Sequence, residues 1–166
     1  MVVVKRMDIQ IIKANYHDEK QGTEIAELLD AYASDPMGGG KSLEKEVKEN
    51  VVKELAKRPY AFSVLAYINN SPAGLINCFE AFSTFSCKPL VNIHDIYVRN
   101  EFRQHGLSQK MLDKVEEIAK EKGCCKLTLE VLSKNIVAQS SYQKFGFESY
   151  ELDPETGKAL FWQKLL

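Results

Sequence analysis

One stretch of this chain, residues 91–122, constrains the fold more than any other. An apolar run predicts a strand at Val91–Val98, a short turn follows at residues 103–108, and an amphipathic helix comes next. The apolar residues of this helix recur at the 3.6-residue spacing that places them on one face. They are Leu107, Met111, Leu112, Val115, Ile118 and Ala119. Gly123 stands where a left-handed C-terminal cap is expected, so the stretch predicts a strand–turn–helix unit.

The turn before this helix has the chemistry of an anion site. The first backbone N–H groups of a helix lack intrahelical partners, and the helix dipole places partial positive charge beside them. A phosphate above residues 104–108 would therefore meet several donors at once. Gly106 allows close approach because it has no Cβ, and Arg103 adds a forked cation. An ordinary bend between a strand and a helix uses the same residues, so the turn alone leaves both interpretations open.

Two motifs together resemble the GNAT superfamily of acetyl-CoA-dependent N-acetyltransferases. The turn is similar to the pyrophosphate-binding motif of that family, Arg/Gln-x-x-Gly-x-Gly/Ala, at Arg103, Gly106 and Ser108. Ser108 replaces the usual Gly or Ala. About thirty residues later, the segment Asn135–Phe147 resembles the second signature of the family, Asn-x-x-Ala-x-x-x-Tyr-x-x-x-Gly-Phe, with every fixed position filled. The resemblance covers roughly residues 60–165, and the N-terminal third fits in element order only.

The resemblance implies that acetyl-CoA is a co-substrate. Backbone groups of the predicted strand would pair with the pantetheine arm like an added strand and help to polarise the acetyl carbonyl. Asn135 would bond the same arm, although its type and position also suit an N-cap. The full set of coenzyme A-binding residues that the resemblance implies is Ile96, Tyr97, Val98, Arg103, Gln104, His105, Gly106, Leu107, Ser108, Asn135, Ser141 and Lys144.

Acetyl transfer to an amine needs a group that accepts a proton. An alkylamine with a pKa of ~10.4 is cationic at pH 7, and its deprotonation there costs about 4–5 kcal/mol. We take Glu80, His94 and Asp95 as the candidate catalytic bases. His94 and Asp95 lie on the strand before the turn, where the resembled family often carries two acidic residues, and Glu80 lies on the neighbouring strand. In a regular strand, His94 and Asp95 point to opposite faces of the sheet, so at least one of the two would have a structural role. A bulge in the strand would allow both to face the same side.

Tyr142 is the fourth candidate catalytic residue. The resemblance implies that its phenol reaches the sulfur of coenzyme A and protonates the departing thiolate. The ordinary pKa values of a phenol (~10) and a thiol (~8.5) make that transfer feasible only with suitable geometry. Ala138 and Phe145 share its helix face, so the alternative is a tyrosine that only packs.

Hydrophobic periodicity and turn residues predict the remaining elements. The predicted strands lie at residues 7–14, 61–68, 73–85, 91–98, 126–132, 147–152 and 160–165, and the predicted helices at 23–33, 43–57, 107–122 and 135–145. The resulting order is β-α-α-β-β-β-α-β-α-β-β. The resemblance implies an α+β GNAT-like fold, with a mixed, mostly antiparallel sheet of about seven strands and helices on both faces. A chain of this length fits a single domain, residues 1–166.

Composition narrows the classes of protein. A net charge of −1 gives no electrostatic footprint for nucleic acid or an anionic membrane. No apolar run approaches the ~18 residues of a membrane-spanning helix, and residues 1–4 are too short for a signal-peptide core. The four cysteines have no CxxC spacing, and no group of potential ligands has metal-site spacing. We therefore expect a cytoplasmic protein with reduced thiols and no metal.

Three functions stay open at this point. The first is an N-acetyltransferase in which a small-molecule or protein amine attacks acetyl-CoA directly in a ternary complex. The second is a non-catalytic module that senses acyl-CoA. The third is a nucleotide binder that uses residues 38–42, Gly-Gly-Gly-Lys-Ser, although the P-loop motif requires glycine where Asp35 stands. The acceptor is not readable from the sequence, and the resemblance is compatible with a homodimer.

Overall fold

The computed structural model describes residues 7–150, 155, 157 and 159–166. Within them it contains five strands, β1 (Ile9–Lys13), β2 (Ala61–Ile68), β3 (Ser71–Ser83), β4 (Lys88–Val98) and β5 (Leu127–Leu129). The helices are α1 (Glu19–Ser34), α2 (Lys45–Ala56), α3 (Leu107–Glu121) and α4 (Ile136–Phe145), with one 3₁₀ turn at Asn100–Phe102. The sheet order is β1-β2-β3-β4-β5; the first four strands run antiparallel, and β5 is parallel to β4.

The helices cover both faces of this sheet, as predicted. On one face, α3 buries all six apolar residues that its periodicity places together, in a cluster that also includes Tyr142 of α4. On the other face, Ile25 and Leu28 of α1 pack against Leu65 of β2 and Tyr97 of β4. We call these the α3 face and the α1 face.

The first helix begins four residues before the predicted start at Thr23. Asp18 is its N-cap, and its Oδ1 accepts a hydrogen bond of 2.9 Å from the backbone N–H of Gln21. The Thr23 hydroxyl instead donates to the carbonyl of Glu19 inside the helix, at 2.9 Å. Both threonine and aspartate are frequent N-caps, so only the backbone geometry decides between them.

A bulge interrupts the pairing of β3 with β4. Asn77 is paired with Asp95, but the next residue of β3, Cys78, is paired with Ile93, so His94 has no partner across the ladder. One extra residue in a strand shifts its alternation. The condition under which His94 and Asp95 could face the same side is therefore met.

The pairing of β4 with β5 is short. It joins Val91 to Leu127, Asn92 to Thr128 and Ile93 to Leu129, and no further pair follows in the described residues. Beyond Ile93 the two strands separate, so residues 94–98 of β4 have their outer edge open.

The prediction of about seven strands is wrong for the described chain, which has five. Residues 147–150 form no strand, and residues 151–152 of the predicted sixth strand lie outside the described part. Residues 160–165, the predicted seventh strand, have no regular structure and are exposed. A strand needs an edge with unpaired backbone groups, and β5 offers an edge of only three residues. Apolar alternation in the sequence cannot supply that edge.

Candidate active site

A cleft of about 380 Å³ opens on the α1 face, between the two N-terminal helices and the strands β3 and β4. It lies beside the bulge of β4. Its lining residues are Leu29, Tyr32, Ala33, Gly38, Leu43, Val51, Leu55, Asn77, Phe79, His94 and Asp95. The volume is within the range of pockets that bind small molecules, about 300–1,000 Å³.

Two predicted catalytic residues, His94 and Asp95, both line this cleft. His94 is exposed, and its ring meets the ring of Phe79 edge-on with centroids 5.5 Å apart. Asp95 is half-buried, and its Oδ2 accepts a hydrogen bond of 3.0 Å from the side-chain amide of Asn77. The bulge thus places an imidazole and a carboxylate at one end of the cleft.

Asp95 is the end of a chain of polar side chains that crosses three strands. The buried hydroxyl of Ser63 donates to Oδ1 of Asn77 at 2.6 Å, and the Tyr16 hydroxyl lies 2.8 Å from Ser63 Oγ. A carboxylate only accepts, so Asn77 turns its amide nitrogen to Asp95 and its oxygen to Ser63. Ser63 has one proton, which it gives to Asn77, so Tyr16 donates to Ser63. The chain of donors therefore points from Tyr16 towards the Asp95 carboxylate.

Glu80, the third candidate base, lies elsewhere. It is on β3, but it alternates away from Asn77 and Phe79. Its Oε2 forms an ion pair of 2.9 Å with Nζ of Lys122, directly after α3. The structure therefore brings His94 and Asp95 together and leaves Glu80 on the α3 face.

Tyr142 is buried, with 8% of its surface exposed, and its ring meets that of Phe147 edge-on at 6.0 Å. Burial, with a smaller contribution from the charge of Tyr32, raises the pKa of Tyr142 to about 12. Burial also raises the pKa of Tyr32, and the charges of Asp95 and Asp35 add to that effect.

Sequence reasoning missed four residues of this site: Tyr16, Tyr32, Ser63 and Asn77. Two of them left a signal. Ser63 and Asn77 are polar residues inside strands whose neighbours are nearly all apolar. A buried polar side chain needs a hydrogen-bond partner, so such an interruption indicates a polar network in the core. Tyr16 and Tyr32 have no comparable mark in the sequence.

The predicted phosphate turn has the backbone form that an anion site needs. Gln104 and Gly106 have φ values of 66° and 72°, and Gly106 is the N-cap of α3. A glycine has no side chain with which to cap, so the start of α3 has no side-chain cap in the described structure. Ser108 is half-buried and Leu107 is buried in the core, while His105 is exposed.

Arg103, the cation of the predicted phosphate turn, makes three contacts within the protein. Its Nη2 forms an ion pair of 3.0 Å with Asp35, its Nε donates to the carbonyl of Val98 at 3.0 Å, and its guanidinium lies 5.8 Å from the centre of the Tyr97 ring. Asp35 also accepts from the N–H of Met37, and these contacts hold the pKa of Asp35 below its ordinary value. The pair joins the phosphate turn to the loop between α1 and α2.

The second motif places α4 beside the start of α3. The hydroxyl of Ser141 lies 3.2 Å from that of Ser108, and the Gln109 amide donates to the Ser141 carbonyl at 2.9 Å. Asn135 is the N-cap of α4, since its Oδ1 accepts from the N–H of Ala138 at 3.2 Å. Lys144 is exposed on the same helix. The two motifs are therefore in contact through the side chains of Ser108 and Ser141.

No group of three or more His, Cys, Asp or Glu side chains in the described residues could hold a metal ion. No helix in that part of the chain is long and apolar enough to cross a membrane.

Curated relatives match only part of the chain. A thialysine N-epsilon-acetyltransferase of Caenorhabditis elegans is 36% identical over 76 residues, which cover 45% of this chain and 47% of the relative. The Bos taurus protein of the same name is 41% identical over 56 residues, 34% of this chain and 33% of the relative. The chain thus spans less than half the length of these relatives in the matched region.

Solved structures match nearly the whole chain. An aminoglycoside acetyltransferase from an uncultured soil metagenomic sample, in complex with trehalose, has a TM-score of 0.76 and 18% identity, covering 95% of this chain and 97% of that one. An aminoglycoside N-acetyltransferase in complex with CoA has a TM-score of 0.74 and 18% identity, covering 98% and 99%. These likenesses confirm the predicted α+β GNAT-like fold. The sequence model of the acetyltransferase (GNAT) family matches residues 22–147. The chain therefore belongs to the acetyltransferase (GNAT) family.

Proposed function

We propose that this protein is an N-acetyltransferase that moves the acetyl group of acetyl-CoA to a primary amine. The observation that carries the proposal is the bulge of β4 at His94. It aims the Asp95 carboxylate into the cleft at the position where β4 and β5 separate. An amine bound at Asp95 would therefore lie beside the open edge of β4.

Acetyl-CoA is the substrate that supplies the activated acetyl group, and the residues present fit it. The open edge at Ile96, Tyr97 and Val98 offers backbone donors and acceptors for the amides of the pantetheine arm. The uncapped N–H groups after Gly106 suit its diphosphate. Arg103 is already paired with Asp35, so we assign the diphosphate chiefly to these backbone donors.

Asp95 and His94 would handle the amine proton. The amine arrives as an ammonium ion, and the carboxylate of Asp95 attracts that form. His94 is exposed beside it, so its imidazole would accept the proton from the ammonium group and pass it to water. The free amine then forms a bond from its nitrogen to the acetyl carbon as the bond from that carbon to sulfur breaks. The nitrogen gives up its second proton to water in the same step and becomes the amide nitrogen of the product.

Tyr142 would stabilise the leaving sulfur. Its pKa of about 12 keeps the phenol protonated. A complete proton transfer to a thiolate of ordinary pKa ~8.5 would be uphill by about 5 kcal/mol. We therefore assign Tyr142 the role of a hydrogen-bond donor to the developing thiolate, which takes its proton from water as it leaves. This differs from the full protonation that the family resemblance implied.

Thermal stabilisation and turnover test the proposal together. Coenzyme A should raise the melting temperature, and ATP with magnesium should not. Acetyl-CoA should be consumed in the presence of a primary amine. Tyr142→Phe should lower kcat at least tenfold with little change in melting temperature, because it removes one hydroxyl and keeps the ring.

Tyr150→Phe is the matched control, since Tyr150 is exposed and its ring contacts only Lys126 among the ring contacts described. It should leave kcat unchanged. Stabilisation by ATP but not by coenzyme A would refute the proposal. Stabilisation by coenzyme A without turnover of any amine would instead identify a module that senses acyl-CoA.

A further inference from the structure

The geometry points to an acceptor of one chemical class: a primary amine with a single positive charge on an apolar stem. The ammonium group binds at Asp95, and the stem lies along the walls that α1 and α2 supply. This inference rests on the proposed function and adds the substrate class, which neither the family nor the named relatives assign.

The cleft has a polar end and an apolar body. Asn77, His94 and Asp95 meet where β3 and β4 pair, so the polar groups lie together beside the bulge. The other walls carry aliphatic and aromatic side chains from α1, α2, their connecting loop and β3. They are Leu29, Tyr32, Ala33, Leu43, Val51, Leu55 and Phe79, of which Tyr32 also carries a hydroxyl group. A ligand that fills this cleft must therefore be apolar over most of its length and polar at one end.

The charges of the lining exclude acceptors with several ionic groups. Asp95 is the one carboxylate among the lining residues described, and none of these residues is Lys or Arg. The carboxylate of an amino acid would lack a cation there. The additional ammonium groups of an aminoglycoside would lack anions. A charge that loses its water in the cleft without gaining a partner is costly, so both classes should bind less tightly than a singly charged amine that places its apolar stem there.

Two other carboxylates, at the end of α1 and directly after it, are already engaged. Asp30 accepts hydrogen bonds from the N–H of Leu43 at 2.7 Å and from the hydroxyl of Ser42 at 2.8 Å. Asp35 is paired with Arg103. Both carboxylates already have partners, so we do not expect them to bind a second ammonium group. Asp95 therefore binds the single positive charge of the acceptor.

A series of straight-chain amines from propylamine to hexylamine tests the inference. Burial of one methylene group corresponds to about a fourfold gain in binding. Because the cleft is open on one side, kcat/KM for the amine should rise two- to fourfold with each added carbon. Thialysine, an amino acid, and kanamycin, an aminoglycoside, should each be at least tenfold poorer than hexylamine.

Two valines of α2 allow the effect of the cleft wall to be distinguished from a general effect on the helix. Val51 lines the cleft, whereas Val47, one turn earlier, is 42% exposed and does not. Val51→Thr keeps the shape but adds a hydroxyl to the wall, so it should flatten the dependence on chain length. Val47→Thr makes the same change on the same helix and should leave that dependence as in the wild type.

The possible outcomes are distinct. Acetylation of thialysine or kanamycin in preference to hexylamine would overturn this inference and leave the proposed function intact. A flat series of alkylamines, or equal effects of the two valine substitutions, would also overturn it alone. No acetylation of any amine in the panel would overturn both.

Discussion

The two faces of the sheet differ in what they bury. The α3 face holds an apolar cluster in which Leu112 and Val115 have no exposed surface. The α1 face also holds apolar residues, but three buried polar side chains lie on or beside it: Glu24, Ser63 and Asn77. Glu24 accepts a hydrogen bond of 2.6 Å from the Tyr67 hydroxyl. One face is packed as an ordinary core, and the other combines packing with directed hydrogen bonds.

The difference indicates a division of labour. An apolar cluster stabilises the sheet and holds the phosphate turn at the start of α3, and it needs only correct volume. A buried polar chain contributes less to stability, but it fixes the direction of the group at its end. The α3 face should therefore respond to substitution mainly in stability, and the α1 face mainly in activity.

The strongest test replaces one carboxylate on each face. Asp95→Asn should lower kcat/KM for the amine about a thousandfold, since loss of one partner of a desolvated charge pair costs about 2–5 kcal/mol. Glu80→Gln makes the same chemical change in the exposed ion pair with Lys122, and exposed pairs contribute about 0–1 kcal/mol. It should change kcat/KM less than threefold. Steady-state kinetics decide, and equal losses in both variants would contradict the division.

A leucine on each face gives the next largest effect. Leu112→Ala should lower the free energy of unfolding by about 3 kcal/mol, because it removes a fully buried side chain. Leu29 is half-buried in the wall of the cleft, so Leu29→Ala should cost about 1 kcal/mol and raise the KM for an amine. Urea unfolding and kinetics measure the two quantities. A larger loss of stability for Leu29→Ala would reverse the assignment of the faces.

The same contrast explains how much the sequence could predict. Every apolar residue predicted on α3 is buried, because a helix repeats its own local period. The polar contacts of the α1 face, in contrast, join residues that are far apart in the chain. Asn77 meets Asp95 only because a bulge shifts the register, and Arg103 meets Asp35 across the loop after α1. Single-sequence patterns carry no register, so the motif residues were located but their partners were not.

Two glycines in the loop between α1 and α2 give the third test. A Cβ on Gly38 would overlap the backbone carbonyl of Tyr32, so Gly38→Ala must displace either the loop or the end of α1. It should cost about 2 kcal/mol of stability and impair activity through Tyr32, which lines the cleft. A Cβ on Gly40 meets no atom within 4 Å, although its φ of 73° is strained for alanine.

Gly40→Ala is therefore the control for backbone strain alone. It should cost about 1 kcal/mol and leave kcat/KM within about threefold of the wild type. Urea unfolding and kinetics again give both values. If Gly40→Ala impaired activity as much as Gly38→Ala, the loss of activity would come from reduced flexibility of the loop and not from a clash with Tyr32.

The smallest expected effect is that of low pH. As the pH falls, the loop between α1 and α2 should become less stable before the core of the α3 face does. Hydrogen bonds from Leu43 N–H and then Ser42 hold the pKa of Asp30 below its ordinary value of 3.8. A carboxyl whose pKa is lower in the folded state stabilises that state fully above its unfolded pKa. This stabilisation is lost as the pH falls through the lower folded value. We expect no change between pH 7 and about 5, and a loosened loop below about pH 3.8.

Two-dimensional NMR can follow this loosening at single amides. The Leu43 N–H signal should shift with a midpoint below 3.8, the titration of the carboxylate that it contacts. Asp30→Asn should abolish that shift and leave a separate shift at Met37 N–H, which donates to Asp35 at 2.9 Å. The side-chain methyl signals of Leu112 and Val115, which are fully buried on α3, should keep their folded-state positions over the same range. A Leu43 midpoint above 3.8 would mean that the carboxylate is not stabilised by this contact, and the loop would then need another anchor.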